Sequence, residues 1–336
     1  MTFRLEYKYQ PKRILLIQFG SVAEVVQSLP VLNALRLRYP LAEIAFLLES
    51  GMTSLLTRHP ALDRLIFAKS NWYKSLEQMK LLKKRLHAFT PDLCFELEGT
   101  LRGALAAWMS GAKHRVGFSR KNSVHASWLL NNIRHISVKT HPLDRKLELL
   151  EEVGIVGTSI NYDLPSVPHE NEAAVKICRS FDLQDTPFLL VHASEGIPDT
   201  NLWRQIIDYL LAKWNIPTLL MYQNDAEQRL AEDLAHNISG AVGVLPKLSL
   251  SLTAALMRRP LFFLSASTDS LYLASATGLP CVGLLDSPKT FPPINDRLSH
   301  WIKLSMSPVT DIFDACDILL EEQLPREFSD QKAAEK

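Results

Sequence analysis

A chain of 336 residues is long enough for two domains of ordinary size, and 47% hydrophobic against 22% charged residues is the balance of a globular protein. A formal net charge of +1 at pH 7 supplies no overall field for nucleic acid, and none is expected as a partner. Cys94, Cys178, Cys281 and Cys316 stand far apart with no CxxC pair, which argues against zinc-ligand spacing and a disulfide framework and for reduced, buried thiols.

Residues 1–13 are polar and basic with no apolar core, so no secretory signal is read there. The stretch RILLIQFGSVAEVVQSLP, 13–30, opens the organised part of the chain. Its apolar run 14–19 predicts a short buried strand, Gly20 and Ser21 break it, and 22–29 restarts with helical spacing. Strand, tight turn and helix start make the first half of a βαβ unit. Such a turn offers backbone N–H groups, at the positive end of a helix dipole, to the space above the sheet. Glu24 sits just inside that helix start, either as an ordinary first-turn acid favouring the dipole or as a carboxylate facing the crevice.

The alternation continues with strands predicted at 43–48, 64–68, 92–97 and 115–118 and helices at 52–58, 73–87, 101–109 and 141–153. The helix 73–87 carries Lys74, Lys80, Lys83, Lys84 and Arg85 on its polar face, which is either a solvated face or a surface for phosphate groups. Residues 154–170, with Gly157, Pro165 and Pro168, read as the connection between halves. The second half restarts the scheme: strands at 187–192, 217–222, 261–266 and 281–285, and helices at 202–214, 225–236, 250–257, 271–277 and 311–320. Strands alternating with helices at this pitch imply an α/β chain with mainly parallel sheets covered on both faces. A ligand is expected in the cleft between the halves, outside the C-terminal strand ends. No apolar run approaches the roughly 18–20 residues needed to span a bilayer, and a cytoplasmic protein is expected.

Several segments carry a family resemblance. They are the front stretch RILLIQFGSVAEVVQSLPVLNALRLRYP, then GAKHRVG and THPLDRKLELL, then LLVHAS, VGVLPKLSLSLTAALM and TDSLYLASATGLPCVGLL. In order and spacing they resemble glycosyltransferase family 9, the ADP-heptose:lipopolysaccharide heptosyltransferases, over nearly the whole chain. The resemblance implies a GT-B fold of two facing Rossmann-like domains: an acceptor domain at 1–160, a linker at 161–170, a nucleotide-sugar domain at 171–324 and a polar tail at 325–336. It implies inverting transfer of a heptose or similar sugar from a nucleotide sugar, with ADP-heptose the expected donor, to a lipopolysaccharide inner-core acceptor. The lipid A–core acceptor implies work at the membrane surface, with the protein peripheral at the inner face of the inner membrane. No cofactor and no metal are expected, and the oligomeric state is left open.

That chemistry needs a carboxylate to take the acceptor proton, donors to stabilise the diphosphate leaving group, and contacts that hold donor and acceptor in line. The family's base is an Asp in a G-D turn after the first strand; here Ala23-Glu24 stands in its place, which makes Glu24 the candidate catalytic base. The family has a Lys shortly before a Trp in the loop after its HA(T/S) strand. Here Asn201 precedes Trp203, and no lysine occurs from 188 to 211. The family's D-T-G-x-x-H turn reads Ser267-Thr268-Asp269-Ser270-Leu271-Tyr272. By this resemblance the donor-binding candidates are Ser21, Ser194, Asn201, Leu248, Ser267, Thr268, Asp269 and Tyr272. The acceptor-side candidates are Glu98, Arg102, His141 and Arg145. His192 and Trp203 are read as packing residues. Two functions follow from different classes: an active inverting glycosyltransferase with an altered donor site, or a catalytically impaired relative acting as a binding or assembly partner.

Overall fold

The computed structural model describes residues 9–124, 127–194, 197, 199–238, 240–285, 291–293 and 299–324. The polar tail 325–336 and positions 195, 196 and 198 of the loop after the sixth predicted strand lie outside the described residues. The chain divides into two compact units, Met1–Pro165 and Ser166–Lys336.

The first unit runs β1 (Arg13–Ile17), α1 (Val22–Val26), α2 (Leu29–Arg38), β2 (Glu43–Glu49), α3 (Thr53–Leu56), β3 (Arg64–Ala68), α4 (Leu76–Phe89), β4 (Leu93–Glu96), α5 (Leu101–Met109), β5 (His114–Phe118), β6 (Ile133–His135) and α6 (Pro142–Glu148). Its six strands form one sheet in the order β3-β2-β1-β4-β5-β6, every pairing parallel. The central strand pairs Ile14 with Ile44 on one side and with Leu93 on the other. Strands buried on both faces need apolar side chains at successive positions, which is why β1, β2 and β4 read as unbroken runs. At the edge, β3 alternates instead, with Ile66 and Ala68 buried and Arg64 and Phe67 exposed. Leu15 and Ile17 pack with Leu82, Leu86 and Phe89 of α4 and Ala106 and Ala107 of α5.

The second unit repeats the design with α7 (Pro168–Ser180), β7 (Leu189–His192), α8 (Thr200–Trp214), β8 (Thr218–Leu220), α9 (Asp225–Asn237), β9 (Val242–Val244), α10 (Leu250–Leu256), β10 (Phe263–Ser265), α11 (Thr268–Ala276), β11 (Cys281–Leu285), β12 (Ser299–Lys303) and α12 (Val309–Gln323). The sheet order is β12-β11-β10-β7-β8-β9, again parallel throughout. Counted from the first strand of each unit, both sheets have the doubly wound order 3-2-1-4-5-6 of the Rossmann type. Trp203, Ile206, Ile207 and Leu210 of α8 pack on Ile312, Cys316 and Leu319 of α12. Asp317 ties the same two helices by accepting from Tyr209 Oη at 2.5 Å, Lys213 Nζ at 2.6 Å and Trp214 Nε1 at 2.6 Å.

Three departures from the sequence reading have local causes. The single helix expected over 22–29 is two, because Ser28 N turns back to Val25 O and Pro30, inside the first turn of α2, has no N–H to continue a ladder. The basic helix starts at Leu76 rather than 73: Trp72–Lys74 form a 3₁₀ turn, and Ser75 caps α4 by accepting from Gln78 N at 3.4 Å. The strands β6, β9 and β12 and the helix α7 were not read at all. The first two are three residues long, β12 fully buries only Ile302, and α7 buries only Ala174 and Cys178, so each carries little periodic signal.

One buried pair in the first unit carries a pH dependence. His135 Nδ1 lies 2.9 Å from Oε1 of Glu152, whose side chain is 2% exposed. The hydrogen bond to Glu152 raises the His135 pKa above its ordinary 6.5, against the opposing effect of burial. A raised histidine pKa contributes stability that is fully present below the unfolded value and lost as pH rises through the folded one. The difference in unfolding free energy between the wild type and His135→Gln is therefore expected to be larger at pH 6 than at pH 9. Urea titrations at the two pH values that give the same difference would contradict this.

Candidate functional site

In a doubly wound sheet the helices leave in opposite directions on either side of the first strand, which opens a crevice at the C-terminal strand ends. In the first unit that switch point lies between β1 and β4. Two segments end there: the turn from Phe19 to Glu24 and the loop from Glu98 to Arg102.

The turn is built by three residues. Gly20 adopts φ +103°, a conformation that side chains other than hydrogen rarely take, and a Cβ there would overlap the Glu24 carboxylate. Ser21 caps α1, its Oγ accepting from Glu24 N at 3.5 Å while Glu24 Oε2 accepts from Ser21 N at 2.9 Å, a reciprocal capping box. Glu24 is thus held by one carboxylate oxygen and is exposed to solvent. Both readings of Glu24 are compatible with this position: it caps the helix start and it faces outward at the switch point.

Beneath the turn lies a buried polar web. Glu98 Oε1 accepts from Phe19 N at 2.9 Å, from Gln18 Nε2 at 3.3 Å and from Arg102 Nη2 at 3.1 Å, and Oε2 accepts from Thr100 Oγ1 at 2.7 Å. Arg102 also reaches Glu49 Oε1 at 3.2 Å and lies over the Phe19 ring at 5.5 Å. Glu96 is fully buried. Its Oε1 accepts from the backbone N–H groups of Glu98, Gly99 and Thr100 at 3.0, 2.8 and 3.4 Å, the groups that a ligand would otherwise use at this loop. Burial, and then the charge of Glu98, push the Glu96 carboxyl up to about 7 against those hydrogen bonds. Lys146 of α6, also buried, donates to the Glu24 backbone carbonyl at 2.6 Å and to Ser28 Oγ at 3.1 Å, and burial pulls its ammonium down to about 8.

The four acceptor-side candidates divide. Glu98 and Arg102 form the ion pair beside the Glu24 turn. His141 caps α6, with Nδ1 accepting from Leu143 N at 3.2 Å. Arg145 donates to Asn122 O at 2.8 Å and stacks over Phe118 at 4.9 Å, with a buried Nε that has no partner among the described residues. Gln18, Glu49, Glu96 and Lys146 escaped the sequence reading. The acid Glu96 inside a buried strand was a usable signal, because an ionisable group there has to be held by something. Lys146, one place beyond Arg145, had no signal of its own.

In the second unit the switch point lies between β7 and β10, where Ser194 and the segment Ser265–Thr268 follow the strands. Ser194 Oγ is buried and has no hydrogen-bond partner among the described residues. Ser265 Oγ donates to His192 O at 3.3 Å and accepts from Ser267 N at 2.9 Å, which fixes the start of α11. Ser267 is the N-cap residue of α11 but its side chain makes no cap bond, and Thr268 and Asp269 fall in the first turn. Tyr272 is 0% exposed and donates to Pro292 O at 3.3 Å, so its ring offers no open surface. Asn201 is exposed in the first turn of α8, where Asp199 Oδ1 accepts from its N–H at 2.9 Å. Leu248 is half-buried ahead of α10.

His192 is fully buried, with Nδ1 at 2.9 Å from Ser270 Oγ and Nε2 at 3.0 Å from Glu227 Oε2. Gln223 closes this web, donating from Nε2 to Ser270 Oγ at 2.9 Å and from its N–H to Glu227 Oε2 at 2.8 Å. Burial pushes the Glu227 carboxyl upward, but the hydrogen bonds from His192 and the Gln223 N–H outweigh it and hold the carboxyl below its ordinary range. Ser270, His192 and Glu227 have the partners of a hydrolytic triad without its access: Ser270 is 2% exposed. Among the described residues no group of three or more His, Cys, Asp or Glu is arranged to hold a metal ion, and no helix is long and apolar enough to cross a membrane.

The family description "Glycosyltransferase family 9 (heptosyltransferase)" matches residues 79–312. The chain is 24% identical over 287 residues to lipopolysaccharide heptosyltransferase 1 of Salmonella typhimurium, a match that covers 81% of this chain and 87% of that one. Among solved structures, a glycosyl transferase of family 9 from Veillonella parvula superposes with a TM-score of 0.82 at 18% identity, covering 95% of this chain and 99% of its own. The E. coli heptosyltransferase WaaC with ADP-2-deoxy-2-fluoro heptose superposes with a TM-score of 0.73 at 21% identity, covering 93% of this chain and 100% of its own.

The Gly20 geometry is directly testable. Gly20→Ala forces a strained φ and drives the Glu24 carboxylate off Ser21 N, so a loss of about 1–3 kcal/mol of unfolding free energy is expected. A denaturation midpoint equal to that of the wild type would show that the turn relaxes without cost.

Proposed function

This chain belongs to glycosyltransferase family 9, and from that membership we propose that it is an inverting transferase moving a heptose from ADP-heptose to an inner-core sugar of lipopolysaccharide, with Glu24 as the base. The observation that carries the reading is the outward-facing Glu24 carboxylate at the switch point of the first unit, anchored through Oε2 to Ser21 N and set beside the Glu98–Arg102 ion pair.

In the proposed reaction a Glu24 oxygen takes the proton of the acceptor hydroxyl. The freed oxygen lone pair attacks the anomeric carbon on the side opposite the leaving group, the bond from that carbon to the diphosphate oxygen breaks, and ADP departs with the electron pair. The configuration at the anomeric carbon inverts. Arg102 and Arg145 fit acidic groups on the acceptor, since each is a guanidinium on the same unit as Glu24. For the donor, the Ser194 hydroxyl, which has no partner among the described residues, the hydroxyls of Ser267 and Thr268, and the N–H groups at the start of α11 suit phosphate oxygens. Ser21 supplies a further hydroxyl, and Leu248 an apolar flank for a base.

A second reading has its own support. Asn201 brings no charge where a diphosphate calls for a cation, Asp269 adds an acid, and Tyr272 is buried. These features favour a family member that keeps the fold as a binding or assembly partner. Calorimetric titration with ADP, ADP-heptose and other nucleotide sugars separates the two readings, and absence of binding to all of them would sink the enzymatic one. If transfer occurs, Glu24→Gln is expected to lower turnover by about two to four orders of magnitude with donor binding little changed. Equal rates would remove Glu24 from the mechanism.

Because the proposed acceptor is a lipid, peripheral attachment at the inner face of the inner membrane belongs to the same reading. α4 exposes Lys80, Lys83 and Lys84 together with Leu76, which is 77% exposed. Charge reversal at Lys83 and Lys84 is expected to reduce the fraction of protein sedimenting with anionic phospholipid vesicles, and an unchanged fraction would leave α4 as a solvated face.

A further inference from the structure

Lys146 lies within the THPLDRKLELL stretch, and the transfer chemistry above makes no use of it. Its side chain is buried on α6, at 5% exposure. Both of its hydrogen bonds go to neutral oxygens, the Glu24 carbonyl and the Ser28 hydroxyl, and no ion pair joins it to a carboxylate among the described residues. The charged groups that face it are Glu24 on α1, Glu96 at the end of β4, Glu98 in the following loop and Arg145 on α6 itself. Burying an ammonium against neutral partners is costly, and the depressed pKa of Lys146 reflects it.

Helix capping accounts for only part of this arrangement. α1 ends at Val26 and Ser28 N turns back to Val25 O, so the Glu24 carbonyl lacks its helical donor. Ser28 Oγ already reaches that carbonyl at 2.9 Å, so a neutral cap is in place without the lysine. What the lysine adds is a fixed positive charge under the Glu24 turn and a second anchor on the Glu24 peptide unit. Gln18, whose Oε1 is 3.2 Å from Ser28 Oγ, links the same group to Glu98, so the ammonium, the turn and the Glu98–Arg102 pair form one connected unit.

We propose that Lys146 is a positioning residue of the transfer site: its ammonium, bonded to the Glu24 carbonyl, fixes the orientation of the Glu24 turn and keeps a positive charge beneath the carboxylate that takes the acceptor proton. The inference rests on the reading of Glu24 as the base. A base must be ionised before it accepts a proton, and an opposite charge held close by favours the ionised form of a carboxylate. The bond goes to the main chain rather than to the carboxylate, so the lysine occupies neither Glu24 oxygen, and Oε2 keeps its bond from Ser21 N.

The test is Lys146→Met in the full chain, with Lys146→Arg as the conservative variant. Methionine keeps much of the volume and removes the charge, and replacing a buried charge with a packed apolar side chain is commonly neutral or stabilising. The melting temperature is therefore expected to hold or rise while turnover falls by about tenfold or more, with KM for the nucleotide sugar within about twofold of the wild type. Lys146→Arg is expected to recover part of the rate. A lysine that only supports the fold would lower the melting temperature and leave the rate per folded molecule unchanged, and that result overturns the inference. In a Glu24→Gln background, Lys146→Met is expected to have little further effect, because the two changes act through one group. An equal loss in both backgrounds overturns the inference while the base reading stands. Full activity in Glu24→Gln overturns the base reading and this inference with it.

Discussion

The first unit depends on one side chain more than any other: Glu98, which joins the ends of β1 and β4 where the helices part. A parallel sheet cannot bond its strand ends across a switch point by ladder bonds alone, because the chain leaves each strand in a different direction. Glu98 makes the join instead, taking the Phe19 N–H of one strand end and the Arg102 guanidinium from the helix after the other. Arg102 then extends the join to Glu49 at the end of β2. Three neighbouring strand ends are thereby tied by two side chains, and the Gly20–Glu24 turn is laid over them. An exposed carboxylate at the tip of a turn acts in a defined direction only if the turn has a rigid floor, and these bonds supply it.

Glu96 explains why that floor is closed. The start of α5 would ordinarily be an anion site of its own, with N–H groups pointing at the crevice. Glu96 Oε1 instead takes the N–H groups of Glu98, Gly99 and Thr100 just ahead of that helix, and Thr100 Oγ1 takes the Gly103 N–H inside its first turn, so the approach to the helix is bonded from within. Room for the carboxylate comes from Gly103 and Gly117, since a Cβ at Gly103 would meet Glu96 Oε1 at 2.5 Å and one at Gly117 would meet Oε2 at 3.3 Å. The N–H groups of this loop are thus taken by Glu96, while the Glu24 carboxylate stays exposed. The second unit is organised the other way. The His192–Ser270–Glu227–Gln223 web is buried and ties β7 to α11 and α9, and the Ser194 hydroxyl two residues beyond His192 has no partner among the described residues.

Much of the fold was legible because parallel strands write themselves as continuous apolar runs. The stretches 14–19, 43–48 and 281–285 each became a strand within two residues of the expected bounds. The helix at 101–109 was located to the residue, since Thr100 caps it and Gly111 ends it with φ +72°. What stayed illegible was short or polar: β6 and β9 at three residues each, and α7 with two buried side chains. The site was less legible than the fold for a different reason. Pattern matching finds residues that stand where a family keeps a functional group, as with Glu24, Glu98 and Arg102. It does not find residues that matter by what lies behind them, and Gln18, Glu96 and Lys146 are all buried partners with no exposed role.

The charge distribution separates the two units. Around the Glu24 turn the first unit concentrates five ionised or ionisable side chains, Glu24, Glu49, Glu96, Glu98 and Arg102, with Lys146 below. Along the segments that follow β7 and β10, Ser194, Ser267 and Thr268 carry hydroxyls and N–H groups, while Asp199 and Asp269 bring negative charge. Hydroxyl and amide donors hold a phosphate through short hydrogen bonds that need correct geometry, whereas a lysine attracts it from a distance as a point charge. A diphosphate at these segments would therefore be bound by fit rather than by field, and its affinity would fall less steeply with salt than at a lysine-lined site. The lysine absent before Trp203 bears on the proposed donor site in this way: if a diphosphate binds there, hydroxyl and backbone donors rather than a lysine hold it.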